Sequence, residues 1–179
     1  MHDAISQIHV REMVEDDCAV IARAFAEEGS SSKTLSLYQG YLNDSRRGAR
    51  VVLLAEYDGH FAGYLTILWD SAYPPFREDG TPEIADFNVL EKYRRRHIGT
   101  ALMDEAERRI AQRSPMAGIG VGLTPDYGAA QVLYVKRGYV PDGRGIMAHD
   151  RFPQYGDQVR VDDDLVLHLT KQLRLKGTR

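Results

Sequence analysis

The fold is decided by the stretch EIADFNVLEKYRRRHIGTALM, which runs from Glu83 to Met103. Glu83 to Leu90 contains β-branched and aromatic residues and predicts a strand. From Ile98 to Ile110 the apolar residues recur every four positions, which predicts an amphipathic helix. Three consecutive arginines, residues 94–96, occupy the turn between the strand and the helix.

This turn has the physical properties of an anion-binding site. The first N–H groups of a helix have no partner inside the helix, and the positive end of the helix dipole lies beside them. Gly99, in the predicted first turn, permits close approach of a ligand. The turn therefore predicts a site for a phosphate or pyrophosphate group. A charged run that only faces solvent is the alternative interpretation of the arginines.

The flanking segments predict a mixture of strands and helices. Arg50 to Tyr57 and His60 to Trp69 are expected to pair antiparallel, because Asp58-Gly59 between them is typical of a type I′ hairpin turn. The other predicted elements are strands at 8–11, 118–123, 145–149 and 165–170, helices beginning near Glu15, Thr34 and Thr124, and an irregular loop at 71–81. This order predicts an α+β fold in one domain over residues 1–179.

Composition narrows the class of protein. The chain has 179 residues, 43% hydrophobic and 27% charged, which is typical of one globular domain. A net charge of -3 argues against binding nucleic acid through overall charge. The single cysteine, Cys18, fits a reducing compartment. Because the apolar runs are too short to cross a bilayer and Met1-His2-Asp3 begins no signal peptide, we expect a cytoplasmic protein with no membrane partner.

The strand, turn and helix resemble motif A of the GNAT superfamily of acetyl-CoA-dependent N-acetyltransferases, whose signature is Arg/Gln-x-x-Gly-x-Gly/Ala. Two registers fit this signature. The first places Arg94 at the start and Gly99 at the end, with His97 where the family has its first glycine. The second, Arg96-His-Ile-Gly99-Thr-Ala101, matches every letter but shifts the helix start. We favour the first register, because it keeps the spacing from Val89 that is usual in the family.

A second segment, from Leu123 to Tyr139, resembles motif B of the same superfamily. Its core is Ala130-Gln-Val-Leu-Tyr134, and it ends in Arg137-Gly138-Tyr139. The two motifs together imply a GNAT fold, with a mixed central sheet of about seven strands flanked by helices on both faces. They also imply transfer of an acetyl group from acetyl-CoA to an amine.

The resemblance implies which groups hold the acetyl-CoA. Backbone amides of Phe87, Asn88 and Val89 would meet the pantetheine arm and the thioester carbonyl. The residues that would surround the pyrophosphate are Arg94, Arg95, Arg96, His97, Ile98, Gly99 and Thr100. The alternating glycines of the stretch 118–122 leave one strand face bare, which suits either a groove that needs backbone access or tight packing.

Acetyl transfer needs a base, because an alkylamine with a pKa of about 10.4 is almost fully protonated at neutral pH. Glu83 stands where the histone-acetyltransferase branch of the family has its catalytic glutamate, and Asp86 resembles the aspartate of polyamine acetyltransferases. A bulge in this strand, common in the family, would prevent regular alternation from choosing between them. Deprotonation relayed through water, or without any base, is the third alternative. Tyr134 matches the tyrosine of the family that protonates the leaving thiolate, and the alternative is a tyrosine packed on the inner face of its helix.

The sequence defines the acceptor amine less closely than it defines the acetyl-CoA site. The resemblance implies a small-molecule amine or a protein amine and allows a homodimer, but the ribosomal-protein branch has a glutamate where this chain has Gly122. Tyr73, Phe76 and Trp69 are expected to line an acceptor site or to cap the core. The histidines have no ligand spacing, so no metal is predicted. The rival interpretation of the whole chain is a non-catalytic module that binds acyl-CoA.

Overall fold

A computed structural model describes residues 7–173 and contains an α+β fold with a seven-stranded mixed sheet. The strands lie in the order β1-β2-β3-β4-β5-β7-β6. They are β1 (Ile8–Glu12), β2 (Arg50–Tyr57), β3 (His60–Leu68), β4 (Glu83–Val89), β5 (Met116–Gly122), β6 (Val140–Ala148) and β7 (Leu165–Gln172). The helices are α1 (Asp17–Glu27), α2 (Leu35–Arg46), α3 (Pro74–Asp79), α4 (Ile98–Ile110) and α5 (Gly128–Lys136). The predicted fold class is confirmed.

The chain divides into two compact units. The first contains Met1–Trp69 and Ala85–Arg109, and the second contains Asp70–Ile84 and Ile110–Arg179. Residues 1–6 and 174–179, including Met1-His2-Asp3, lie outside the described residues. The single domain over residues 1–179 stays a prediction. Within residues 7–173, no helix has the length and apolar character needed to span a membrane.

In the first unit, α1 and α2 contribute to a core with β2 and β3. The members of this core are Met13, Cys18, Ile21, Phe25, Tyr38, Leu42, Val52, Leu54, Tyr64 and Leu90. Thr34 caps α2 by accepting a hydrogen bond from Leu37 N–H. Between β2 and β3, Asp58 and Gly59 both have positive φ, as a type I′ turn requires. The hairpin prediction is confirmed.

In the second unit, β5 pairs antiparallel with β7, and β7 pairs antiparallel with β6. Glu83 and Ile84, at the start of β4, pair parallel with Gly118 and Ile119 of β5. Two details of the sequence prediction were wrong. The loop predicted at 71–81 contains α3, which has prolines in its first turn and a left-handed Gly80 at its end. The strand predicted at 145–149 begins earlier, at Val140, and has an irregular register between Pro141 and Ile146.

Candidate active site

The turn before α4 has the backbone conformation that a glycine normally supplies. A 3-10 turn, Glu91–Tyr93, follows β4, and α4 begins at Ile98. Between them Arg95 and His97 are left-handed, with φ of 59° and 63°. Few residues other than glycine adopt this conformation. Because Gly99 lies inside α4 without a positive φ, the left-handed His97 favours the first register of motif A.

The arginines of this turn are largely exposed, and two of them have partners nearby. Arg96 donates a hydrogen bond to Tyr57 Oη at 3.1 Å and lies 5.1 Å from the centre of that ring. Arg94 lies 3.6 Å from a carboxylate oxygen of Glu91. The helix ladder starts with Ala101 N–H donating to His97 O. The backbone N–H groups that precede Ala101 in α4 therefore lie in the first turn, where a helix can bind an anion.

Asp86 interrupts β4 with a left-handed backbone, at φ 48°. Two donors contact its Oδ1, namely Lys33 Nζ and Asn88 Nδ2, the latter at 2.8 Å. Two phenols contact its Oδ2, with Tyr41 at 2.8 Å and Tyr64 at 2.6 Å. The Asp86 side chain is 20% exposed. The carboxylate is therefore held from four directions inside the first unit.

These contacts keep Asp86 ionised. Burial alone would raise the pKa of the Asp86 carboxyl, but the charge and hydrogen bond of Lys33 and the hydrogen bonds of Tyr64 and Tyr41 lower it, and the net direction is downward. Burial and the nearby Asp86 raise the pKa of Tyr64. Because the phenol keeps its proton, it can only donate to Asp86. A carboxylate with a lowered pKa is a weak base.

Sequence reasoning found Asp86 but missed Lys33, Tyr41 and Tyr64. Lys33 lies between α1 and α2, 53 residues from Asp86, where no periodicity or motif marks it. Asn88 was predicted to act through its backbone amide, and its side chain binds Asp86. Gly63 permits the close approach of the β4 backbone, because a Cβ there would lie 2.6 Å from Asn88 O.

Glu83, the other predicted carboxylate, has a different environment in the second unit. Ser71 Oγ donates to Glu83 Oε2 at 2.5 Å, and the same Ser71 oxygen accepts from Tyr73 N–H at 3.0 Å. Ser71 is buried, so Glu83 is oriented by a fixed hydroxyl. Glu83 also stands opposite Gly118 of β5.

Tyr134, the predicted acid, lies on α5 and is buried, with 4% of its surface exposed. Burial, followed by the neighbouring Tyr127, raises the pKa of its phenol above the ordinary value of 10. The Tyr134 hydroxyl is therefore protonated at neutral pH, as a proton donor must be. The residues that follow it end the helix, with Gly138 at φ 88°.

The bare face of β5 is filled by packing. A Cβ on Gly118 would lie 2.3 Å from the Phe76 ring, and one on Gly122 would lie 2.5 Å from the Tyr127 ring. A Cβ on Gly120 would lie 2.9 Å from Val166. Of the two interpretations of these glycines, the structure supports tight packing.

Two of the aromatic residues predicted to line an acceptor site or cap the core belong to a buried cluster in the second unit. Tyr73, Phe76 and Met147 form it. The Tyr73 ring stacks on His168, with 3.5 Å between ring centres, and Tyr73 Oη donates to Asp142 at 2.7 Å. Trp69 belongs to the first unit and is not a member. Tyr73 and Phe76 thus fill the core of the second unit.

One histidine lies between carboxylates that sequence spacing did not associate with it. His149 Nε2 is 3.4 Å from Asp162, and its Nδ1 is 3.4 Å from Asp164. The three residues offer ligand atoms within 4.8 Å of one another. The absence of a metal stays a prediction.

Comparison with known proteins gives the class of this chain. Residues 14–139 match the model of the acetyltransferase (GNAT) family. The chain belongs to this family and is a GNAT N-acetyltransferase family enzyme. No curated protein sequence matches the chain significantly.

Solved structures share the fold at low sequence identity. An N-acetyltransferase from Staphylococcus aureus Mu50 is 15% identical, with a TM-score of 0.70 over 94% of this chain and 100% of the other. A ribosomal-protein-alanine N-acetyltransferase from Brucella melitensis is 20% identical, with a TM-score of 0.66 over 92% and 99%. The yncA protein of Salmonella typhimurium, solved with its cofactor acetyl-CoA, is 16% identical, with a TM-score of 0.63 over 96% of each chain. At these identities the likeness concerns the fold alone.

Proposed function

We propose that this protein transfers the acetyl group of acetyl-CoA directly to a primary amine, on a small molecule or on a protein. The observation that carries the proposal is the left-handed turn at Arg95 and His97, which leads into the first turn of α4. This turn supports the proposal because it has the left-handed backbone that a glycine of motif A would supply, although here His97 replaces glycine. Cytoplasmic location and a homodimer stay predictions.

The cofactor would be bound mostly by main-chain groups. Residues Arg94 to Thr100 would surround the pyrophosphate, with the arginines adding positive charge. The amides of Phe87, Asn88 and Val89 would meet the pantetheine arm and the thioester carbonyl. The yncA protein, which shares the fold, was solved with acetyl-CoA as its cofactor, and this supports the same ligand here.

We assign different roles to the two carboxylates. Asp86 already accepts from a lysine ammonium and from three neutral donors, and its pKa is lowered, so it suits binding of a cationic group better than proton abstraction. Glu83 is oriented by the Ser71 hydroxyl and is the better candidate for the base. Glu83 would take a proton from the acceptor ammonium, and the resulting amine would attack the thioester carbon.

Tyr134 would complete the reaction as the acid. When the carbon–sulfur bond breaks, the thiolate needs a proton, and a buried phenol can supply it. Burial raises the pKa of the Tyr134 phenol, and it would also raise the pKa of a thiol that leaves into the same surroundings. The proton that the amine loses on forming the amide restores the phenol.

Direct transfer is supported by the position of the only cysteine. Cys18 is 2% exposed in the core of the first unit, and burial raises the pKa of its thiol. A buried, protonated thiol is a poor nucleophile for an acetyl-enzyme intermediate. Initial velocities at varied acetyl-CoA and amine should give intersecting lines, whereas parallel lines would indicate an acetyl-enzyme.

The test compares variants in an assay of CoA release with a panel of amines. We expect Glu83→Gln to lower kcat by about 10² to 10⁴. Asp86→Asn should mainly raise the KM for the amine. Equal and small effects of both variants would show that neither carboxylate is the base. Tyr134→Phe should lower kcat without weakening CoA binding measured by calorimetry.

Two outcomes of the calorimetry and the turnover assay would contradict the proposal. Tight CoA binding without turnover of any amine would favour the rival, a non-catalytic acyl-CoA-binding module. No heat of binding with CoA would exclude both interpretations.

A further inference from the structure

Lys33 occupies the place that a substrate ammonium would take at Asp86. Its Nζ donates to Asp86 Oδ1 and to Tyr64 Oη, the latter at 2.9 Å. The same Nζ lies 5.5 Å from the centre of the Tyr64 ring. A carboxylate, a hydroxyl oxygen and an aromatic ring are the groups that bind an alkylammonium.

The site is built from the protein interior. The Lys33 side chain is 18% exposed and that of Asp86 is 20% exposed. Tyr41, from α2, and Asn88, from β4, occupy the remaining positions on the carboxylate. Among the described contacts of Asp86, Lys33 is therefore the single cation.

We propose that Lys33 is a site of self-acetylation, at which the enzyme transfers the acetyl group of acetyl-CoA to its own Nζ. This inference rests on the proposed function. Phe87, whose amide would meet the thioester, directly follows Asp86 in the chain. Binding of acetyl-CoA would therefore bring an acyl carbon to the neighbourhood of a lysine nitrogen that is already held at the site.

Self-acetylation would convert the Lys33 ammonium and acetyl-CoA into an amide and free CoA. The ammonium of Lys33 releases one proton to solvent, and the free amine attacks the thioester carbon. A carbon–nitrogen bond forms and the carbon–sulfur bond breaks. The nitrogen loses a second proton, and the thiolate of CoA gains one. The products are an acetylated lysine, which keeps one N–H, and free CoA.

Acetylation would change the site. The amide of acetyl-lysine carries no charge, so Asp86 would lose its ion pair while it keeps its bonds with Tyr41, Tyr64 and Asn88. The carboxylate would then be open to the ammonium of an external acceptor. Lys33 and the acceptor thus compete for the same carboxylate.

The experiment incubates the purified full chain with acetyl-CoA alone and follows its mass, then maps the modified lysine by peptide analysis. We expect one acetyl group at Lys33, added at a rate independent of protein concentration. Lys136, exposed in the last turn of α5, is the matched control for chemical acetylation. Lys33 should react about tenfold faster than Lys136, because it is held at the site.

Variants separate an enzymatic reaction from a chemical one. Lys33→Arg keeps a cation at Asp86 but cannot accept the acetyl group, so the added mass should disappear. Lys136→Arg should leave it unchanged. Tyr134→Phe should slow acetylation of Lys33 and leave that of Lys136 unaffected. Equal acetylation of Lys33 and Lys136, or no acetylation of Lys33, overturns the inference.

Failure of the inference can be told apart from failure of the proposed function. CoA binding by calorimetry and turnover of external amines are measured on the same protein. If CoA binds and amines are acetylated while Lys33 remains unmodified, the inference is wrong and the function stands. If CoA does not bind, both are wrong.

Discussion

Replacing His168 with glutamine should remove a large part of the loss of stability in acid. His168 is 7% exposed on β7, its ring stacks on Tyr73, and its buried Nδ1 has no hydrogen-bond partner among residues 7–173. Burial lowers the pKa of His168 from 6.5 to about 4, and the opposing effect of Asp142 is smaller. Between these two pH values the unfolded chain binds a proton that the folded chain does not bind.

The magnitude follows from the two pKa values. Their difference corresponds to about 3 kcal/mol, because each pKa unit is worth about 1.4 kcal/mol. The sign is fixed by linkage, since a depressed histidine pKa makes the free energy of unfolding fall as the pH drops below 6.5. The folded protein should therefore lose about 3 kcal/mol on account of His168 between pH 7 and pH 4.

The assay is urea unfolding, followed by circular dichroism at several pH values. Acidic groups also contribute to the pH dependence, among them Glu105, whose hydrogen bond with Arg108 lowers its pKa to about 2. The informative quantity is therefore the free energy of wild type minus that of His168→Gln. We expect this difference to fall by about 3 kcal/mol from pH 7 to pH 4.

A matched control removes an imidazole from the surface. His60 is exposed at the start of β3, and His60→Gln should change the free energy of unfolding by less than about 0.5 kcal/mol at either pH. A difference between wild type and His168→Gln that stays constant with pH would refute the reasoning, because it would mean that the buried ring gains a proton as readily as the unfolded chain does.

Two further changes test the packing of β5 and the turn before α4. Gly118→Ala should lower the free energy of unfolding by about 1 to 3 kcal/mol, because its Cβ would overlap the Phe76 ring. Gly40→Ala, at an open helical position, should instead be neutral or stabilising, and equal losses for both would contradict the argument. His97→Gly should stabilise the protein by up to about 1 kcal/mol, because glycine adopts a positive φ without strain. Ala101→Gly, inside α4, should destabilise by about 1 kcal/mol in the same urea measurement, and a loss of stability in His97→Gly would count against the left-handed assignment.

Much of the fold is predictable because local patterns agree with the tertiary structure. The spacing of four along α4 places Ile98, Leu102, Ala106 and Ile110 inside, and all four are buried. The short helix α3 escaped prediction because prolines and a glycine mark both loops and helix ends. Here Pro74 begins the helix and Gly80 ends it.

Only part of the candidate site was predictable from the sequence, because some of its residues stand in motifs and others come from distant segments of the chain. Glu83, Asp86 and Tyr134 stand in recognisable motifs, but three of the four partners of Asp86 come from residues 22 to 53 positions away in the chain. Such contacts depend on the folded topology, which no local pattern encodes. The left-handed backbone at Asp86 is likewise not marked by a glycine, and at His97 only the alignment with the first glycine of motif A indicates it.

The bare face of β5 constrains which substitutions this enzyme can accept. The volume beside Gly118, Gly120 and Gly122 is supplied by other segments, through Phe76, Val166 and Tyr127. A larger residue on the strand can be accommodated only if the facing side chain shrinks at the same time. Evolution should therefore change these positions in compensating pairs. In each pair one side chain becomes larger and the facing side chain becomes smaller, so that their summed volume is conserved.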